Sequence, residues 1–230
     1  MHPVDRHSIP DPMGWLGLLA PDARRRVLDQ CDELSFEQGE TLYLADDPPG
    51  GLFASLSGRL DLHWTHFPDN ETLWYVVGPG WWIGDLAAIS GQRRRTDLVA
   101  GQKSIVLRLT LARIRQFQQL ESTFLPSMLT MSMATNRAAI NIVEFLSIPN
   151  ITSRVAACLT SLSYTGSGWN GHIPVTQGEL ADIVKTSRGS VLSALHQLEG
   201  EELIKLSYGA ISILDGMKMR TKWVEQASHD

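Results

Sequence analysis

The spacing of apolar residues changes period along the chain. From Trp15 to Asp32 (WLGLLAPDARRRVLDQCD), apolar residues fall at helical intervals after Pro21, with arginines on the other side. This predicts a short N-terminal helical region. From Leu34 to Leu111 the pattern becomes short alternating runs: LSFEQGETLYLA, GLFASLSGRLDLHWT, ETLWYVVGPGWWIG and TDLVAGQKSIVLRLT. Glycines punctuate them at Gly39, Gly58, Gly78 and Gly80, the first three 19 and 20 residues apart. That rhythm suits successive hairpins and predicts an antiparallel roll or jelly roll. From Ser122 to Leu146 the period is helical again, without a glycine and with Pro126 in the first turn. Leu125, Met128, Leu129, Met133, Ile140, Val143 and Leu146 form its apolar stripe. A helix of about 24 residues is roughly 36 Å long, longer than a lid over a small barrel needs. It either packs as a core helix on the roll or pairs with its own copy. Asn136, placed like a polar residue that sets register, favours pairing. Pro149-Asn150 then breaks the helix, a new one is predicted over Ile151–Ser163, and a glycine-rich TGSGWNGH follows. The domain boundary is expected near Asn150.

The segment from Thr176 reads TQGELADIVKTSRGSVLSALHQLEGEELIKL. Thr176 with Glu179 makes a capping box. Leu180, Ile183 and Val184 give the first helix an apolar face, and Lys185-Thr186 makes a tight turn. Ser187 caps a second helix whose apolar face is Val191, Leu195 and Leu198. Two short helices joined this tightly cross steeply, which predicts a helix-turn-helix whose second helix fits the major groove. Its outward face presents Arg188, Gly189, Ser190, Ser193 and His196. Arg188 can fork onto guanine O6 and N7, a match that discriminates by about 1–3 kcal/mol. Thr176, Ser187 and Ser190 are short hydroxyls at helix starts, suited to phosphate oxygens, and Gln177 joins them as a DNA-contact candidate. Beyond it, LIKLSYGAISIL alternates around Tyr208-Gly209 and predicts a hairpin wing.

Composition narrows the classes. The 230 residues are 43% hydrophobic and 20% charged, enough for a core and unlike a disordered chain. The net charge is -5 and the acidic excess is shared by both halves, so any nucleic-acid role rests on local geometry. Apolar runs are far too short to span a membrane, and the first residues carry no signal-peptide pattern. Cys31 and Cys158 match no metal spacing and are expected reduced and buried, as in a cytoplasm.

Taken together, the layout resembles the Crp/Fnr family of bacterial transcription regulators, from about Trp15 to Leu214. The most specific pieces are GPGWWIGDLAAISGQRRRTD and VTQGELADIVKTSRGSV. The resemblance implies an α+β fold: an N-terminal helical region and effector-sensing β-roll (1–121), a long dimerisation helix (122–149) and a C-terminal winged helix-turn-helix (150–230). In cyclic-nucleotide-binding members the first piece is a phosphate-binding cassette, where a Gly-Glu pair meets the ribose and a later Arg-Ser pair holds the phosphate. Counted without gaps, Gly84, Asp85 and Leu86 fall at its start, and Arg95 and Thr96 fall eleven and twelve residues after Gly84. Asp85 is one methylene shorter than glutamate, and Asp97 would place a carboxylate near a phosphate. The adenine-contacting positions fall on Ala139 and Ile140, whose side chains form no hydrogen bonds. These changes favour another effector, or none, over a cyclic nucleotide; in an unliganded roll Arg95 would pair with Asp85 or Asp97. Arg93 and Arg94 are expected to be solvated or partner-facing.

Two cysteines cannot supply an iron–sulfur cluster, and His63 and His66, three apart on a strand, point to opposite faces. No metal or catalytic residue is expected. On the second helix the family's arginine is kept as Arg188, while a glutamate and a later arginine are replaced by Gly189 and Ser193, so the target sequence should differ. The resemblance further implies a cytoplasmic homodimer on double-stranded DNA, with the 165–172 loop able to touch RNA polymerase. Two other classes stand against this: a ligand-binding or interaction module whose winged helix no longer binds DNA, and an enzyme on a cupin-like roll, for which no histidine–acid cluster is found.

Overall fold

The computed structural model describes residues 5–64, 72–166, 169 and 171–227. It comprises two compact units, Met1–Asn136 and Arg137–Asp230. His66, and residues 167, 168 and 170 of the 165–172 loop, lie outside the described residues.

In the first unit two 3-10 turns, Arg6–Ser8 and Leu16–Leu18, precede α1 (Pro21–Asp29), whose Pro at the first position needs no amide partner. Eight strands follow: β1 (Asp32–Phe36), β2 (Thr41–Tyr43), β3 (Leu52–Ser57), β4 (Leu60–Trp64), β5 (Thr72–Val77), β6 (Trp82–Ile83), β7 (Asp97–Ala100) and β8 (Ser104–Leu109). They form two four-stranded sheets, ordered β1-β8-β3-β6 and β2-β7-β4-β5, with every pairing antiparallel. This is the roll that the alternating runs predict. Leu52, Leu60, Leu98, Leu107 and Leu109 are fully buried in it. Gly58 joins β3 to β4 with φ +89, and a Cβ there would strike the backbone of Lys103 and Ser104, so only glycine closes that hairpin. His63 is half-buried beside a β-bulge between Leu62 and His63.

A short α2 (Asp85–Ser90) interrupts the strands between β6 and β7, and α3 (Leu111–Leu120) follows β8. Trp15 ties these parts together. Its ring meets Trp82 edge-on at 5.1 Å and Phe124 at 6.3 Å, and Phe117 stacks on Phe124 at 5.3 Å. These four rings are all buried, so the N-terminal segment, β6 and the start of the long helix share one aromatic cluster.

That long helix, α4, runs Phe124–Ser147. The predicted stripe turns out to mix two faces. Phe124, Met128, Met131, Ala138 and Phe145 are buried. Leu129, Met133, Asn136, Ile140, Val143 and Ser147 are exposed and recur at alternating spacings of four and three residues. Met128 thus belongs to the core, and Leu146 is half-buried. An apolar row with that spacing and a polar residue inside it is the pattern of a paired helix.

In the second unit α5 (Ile151–Thr165) starts at Asn150, whose side chain accepts from the Ser153 amide at 3.0 Å. After β9 (His172–Ile173) come α6 (Gln177–Val184), α7 (Arg188–Gly200), β10 (Ile204–Ser207) and β11 (Ala210–Ile213), the strands forming a sheet ordered β10-β11-β9. Arg154 donates from Nε to the Ile148 carbonyl at 2.9 Å and from Nη1 to that of Val184 at 3.2 Å, tying the α4–α5 link to the end of α6. A last helix, α8 (Gly216–Ala227), lies beyond the family resemblance that ends near Leu214 and packs on α5.

Candidate effector pocket and nucleic-acid interface

The candidate effector site lies where β6 hands over to α2. Gly84 caps α2 with φ +105, and a Cβ there would collide with the Arg94 guanidinium and the Gly51 carbonyl. Asp85 follows as the first helical residue and is buried. Burial pushes its carboxyl pKa up, against the opposing pull of the Ser132 hydroxyl, the Leu86 and Asp85 amides and Arg94. Ser132 lies on α4, so the long helix reaches the site.

The arginine that enters is Arg94, not Arg95. Arg94 is 4% exposed and donates from Nη2 to the Gly51 carbonyl at 2.8 Å. Its guanidinium carbon stands 4.3 Å from the Tyr43 ring centroid and 5.5 Å from that of Phe53. Among the described residues its Nη1 is buried without a hydrogen-bond partner, a costly state for a charged donor. The expectation that Arg94 is solvated is therefore corrected; Arg93 and Arg95 are the exposed pair. Gly91 ends α2 in a left-handed conformation, and Arg94 then pairs its backbone with the 46–47 loop through Arg94 N to Asp47 O and Asp46 N to Arg94 O, both 2.9 Å. Held there, Arg94 turns inward while its two neighbours stay outside. Arg93 reaches the Asp46 carbonyl.

The remaining expected residues divide. Thr96 is half-buried, with its hydroxyl by the Tyr43 phenol, whose pKa burial pushes up to about 12 against Arg94 and Thr96. Leu86 is exposed. Asp97 is buried, and its carboxylate accepts from the Ala45 amide at 2.5 Å. Neither Asp85 nor Asp97 forms an ion pair with Arg95 among the described residues. Ala139 and Ile140 are exposed on α4. Tyr43, Phe53, Gly51 and Ser132 were missed by the sequence reading. Only strand pairing and the rotation of α4 bring them to the loop, and neither is local in sequence.

The second site is the start of α7. The capping box forms as read: Thr176 N donates to Glu179 at 2.7 Å and Glu179 N to Thr176 Oγ1 at 3.2 Å. Lys185 ends α6 at φ +54, which makes the turn tight. Ser187 accepts from the Ser190 amide at 3.1 Å, and the two hydroxyls are 2.8 Å apart. The hydroxyls of Thr176 and Ser187 thus serve as caps, and that of Ser190 pairs with Ser187. Val191, Leu195 and Leu198 are buried, while Arg188, Gly189, Ser193 and His196 are exposed and Gln177 and Ser190 half-buried. Tyr208 stands fully out at the tip of the β10–β11 wing.

Residues 33–120 match the family model of a cyclic nucleotide-binding domain, and residues 153–221 that of a Crp-like helix-turn-helix domain. A cyclic AMP receptor protein of Thermus thermophilus is 27% identical over 199 residues, covering 85% of this chain and 89% of its own. Among solved structures, FixK2 of Bradyrhizobium japonicum superposes with a TM-score of 0.70 at 16% identity, over 83% of this chain and 96% of its own. The c-di-GMP-responsive regulator CLP of Xanthomonas campestris gives 0.62 at 19% identity, over 85% and 100%.

Proposed function

We propose, for a chain that belongs to the Crp/Fnr family of bacterial transcription regulators, that two copies pair through α4 and read a near-palindromic stretch of double-stranded DNA with α7. The observation that carries this reading is the exposed first turn of α7. Arg188 opens it directly after a tight turn, while the opposite face of the same helix is buried. A helix held in that way offers its free face to a major groove. The exposed Leu129–Ser147 row on α4 supports pairing, and a twofold pair sets its half-sites about one DNA turn, ~34 Å, apart. In this reading 122–149 is the dimerisation segment between a sensing roll (1–121) and a DNA-binding domain (150–230).

The roll's effector, in the same reading, is a small ligand with an anionic group for the free Arg94 Nη1 and a polar group for Asp85. The cyclic AMP receptor relative keeps a cyclic nucleotide among the candidates; the apolar Ala139 and Ile140 weigh against an adenine held as in that class. A module without DNA binding is not favoured, because both helices keep their caps and Arg188 stays outward. The regulator acts in the cytoplasm on RNA polymerase rather than as an enzyme. Among the described residues no helix is long and apolar enough to cross a membrane.

Selection from a random DNA pool at low salt tests the proposal. The wild-type protein should enrich two inverted half-sites one turn apart. Arg188→Ala should lose preference at one guanine, at a cost of about 1–3 kcal/mol, with an unchanged melting temperature. A pool that stays random would sink the assignment.

A further inference from the structure

In the first unit, the turn Arg6–Ser8 and α1 border an open groove of about 540 Å³. Its lining is His7, Pro21, Arg24, Arg25, Leu28 and Asp29, so it shares no residue with the candidate effector site. The turn is fastened by its own first residue. Arg6 donates from Nη1 to the Cys31 carbonyl at 3.0 Å and from Nη2 to Glu33 at 3.0 Å, and Asp5 accepts from the His7 amide at 3.0 Å. His7 Nε2 meets Asp29 Oδ1 at 3.0 Å, so the acid in the lining is already engaged. Pro21 and the buried Leu28 give the groove an apolar surface. Its volume falls within the roughly 300–1,000 Å³ of small-molecule sites.

Arg24 stands apart in this lining. It is half-buried, and among the described residues its guanidinium has no acceptor. The other buried or half-buried arginines all have one: Glu33 for Arg6, Asp61 for Arg59, the Gly51 carbonyl for Arg94, Asp32 for Arg108 and Arg113, and the Ile148 and Val184 carbonyls for Arg154. A guanidinium carries its donors in a planar fork, and one partly withdrawn from water gains most from an oxyanion that accepts a pair of them. Arg25, exposed at the next position, adds a further cation, whereas Arg26 is committed to Glu121. We infer that the groove binds a small organic oxyanion, a carboxylate or a phosphate monoester with an apolar body. The head group takes the Arg24 fork and the body lies on Pro21 and Leu28. The site stands on residues of the first unit alone and is independent of the DNA-reading role.

The test uses the full chain and follows the His7 imidazole by NMR, its signal assigned by its disappearance in His7→Gln. Phenyl phosphate, benzoate and inorganic phosphate are the probes. Phenyl phosphate or benzoate should shift the signal saturably with a dissociation constant of about 1 mM or below, as ligands of that size can reach. The tighter of the two names the head group. Inorganic phosphate has no apolar body and should bind at least about ten-fold more weakly. Arg24→Gln should weaken the tighter probe at least about ten-fold, since it removes charge-assisted hydrogen bonds. Arg25→Gln, at an exposed position, should weaken it about three-fold. Arg115→Gln, on the exposed side of α3 and outside the groove, should bind like the wild type. Thermal melting checks that the variants fold; if Arg24→Gln does not, Arg25→Gln carries the comparison. A His7 signal that neither organic probe moves saturably overturns the inference. So does inorganic phosphate binding as tightly as they do, because the groove is then a charged surface only. Unchanged binding in the folded groove variants overturns it as well.

Discussion

The Arg94 guanidinium lies over the Tyr43 ring at 4.3 Å, inside the roll, while Arg93 and Arg95 on either side of it in sequence are exposed. Three adjacent arginines thus do three different things. The inner one is held by an aromatic face, a carbonyl and its own backbone pairing, and its Nη1 has no hydrogen-bond partner among the described residues.

Arg94→Ala should cost the roll about 2 kcal/mol, since it removes a desolvated cation–π contact and opens a cavity. Arg95→Ala should change stability by less than about 0.5 kcal/mol, as exposed substitutions do. Urea unfolding of the two variants measures the difference. Equal losses would mean that Arg95 shares the pocket.

Asp85 makes a pH prediction. Burial raises its carboxyl pKa in the folded chain above the unfolded value of 3.8. The folded state therefore takes up this proton first as pH falls. Its ionised form penalises folding at neutral pH, and the penalty fades as pH drops through the folded pKa toward 3.8. Asp85→Asn, which mimics the neutral acid, should be more stable than wild type near pH 7, with the gap closing toward pH 4. Melting curves across that range would show it, and a gap that widens on acidification would reverse the sign assigned here.

The two faces of α4 should respond differently to charge. Met133 is 72% exposed and Met128 fully buried. Met133→Asp should leave the circular dichroism spectrum intact and turn a dimer into a monomer at micromolar concentration in sedimentation experiments. Met128→Asp should unfold the roll, because an unpaired charge in a core is very costly. A dimer that survives Met133→Asp would exclude this row as the seam.

Thr176 and Glu179 bond each other's backbone amides, so their contributions should not add. Each single alanine variant is expected to cost about 1 kcal/mol. The double variant should cost clearly less than the sum, since breaking either half loosens the other. Chemical denaturation of the three variants makes the cycle; strict additivity would mean two independent bonds.

Much of this molecule is written locally. Period-two runs between glycines specify an antiparallel roll, because strand side chains alternate and Gly58 permits a turn that other residues cannot make. Capping pairs at Thr176–Glu179 and Ser187–Ser190, with a tight turn at Lys185, specify the helix-turn-helix through bonds that span three residues. A long glycine-free stretch specifies α4. The pocket arginine was not legible in that way. Counting along the loop points to Arg95, but which of three arginines turns inward depends on pairing with Asp46 and Asp47, over forty residues away. The same limit applies to the stripe on α4. Met128 and Met133 look alike as apolar residues, and only the packing of the helix against the aromatic cluster around Trp15 buries one and leaves the other exposed. Local bonding sets the elements, whereas strand register and helix rotation, which decide which side chains turn inward, exist only once distant segments meet.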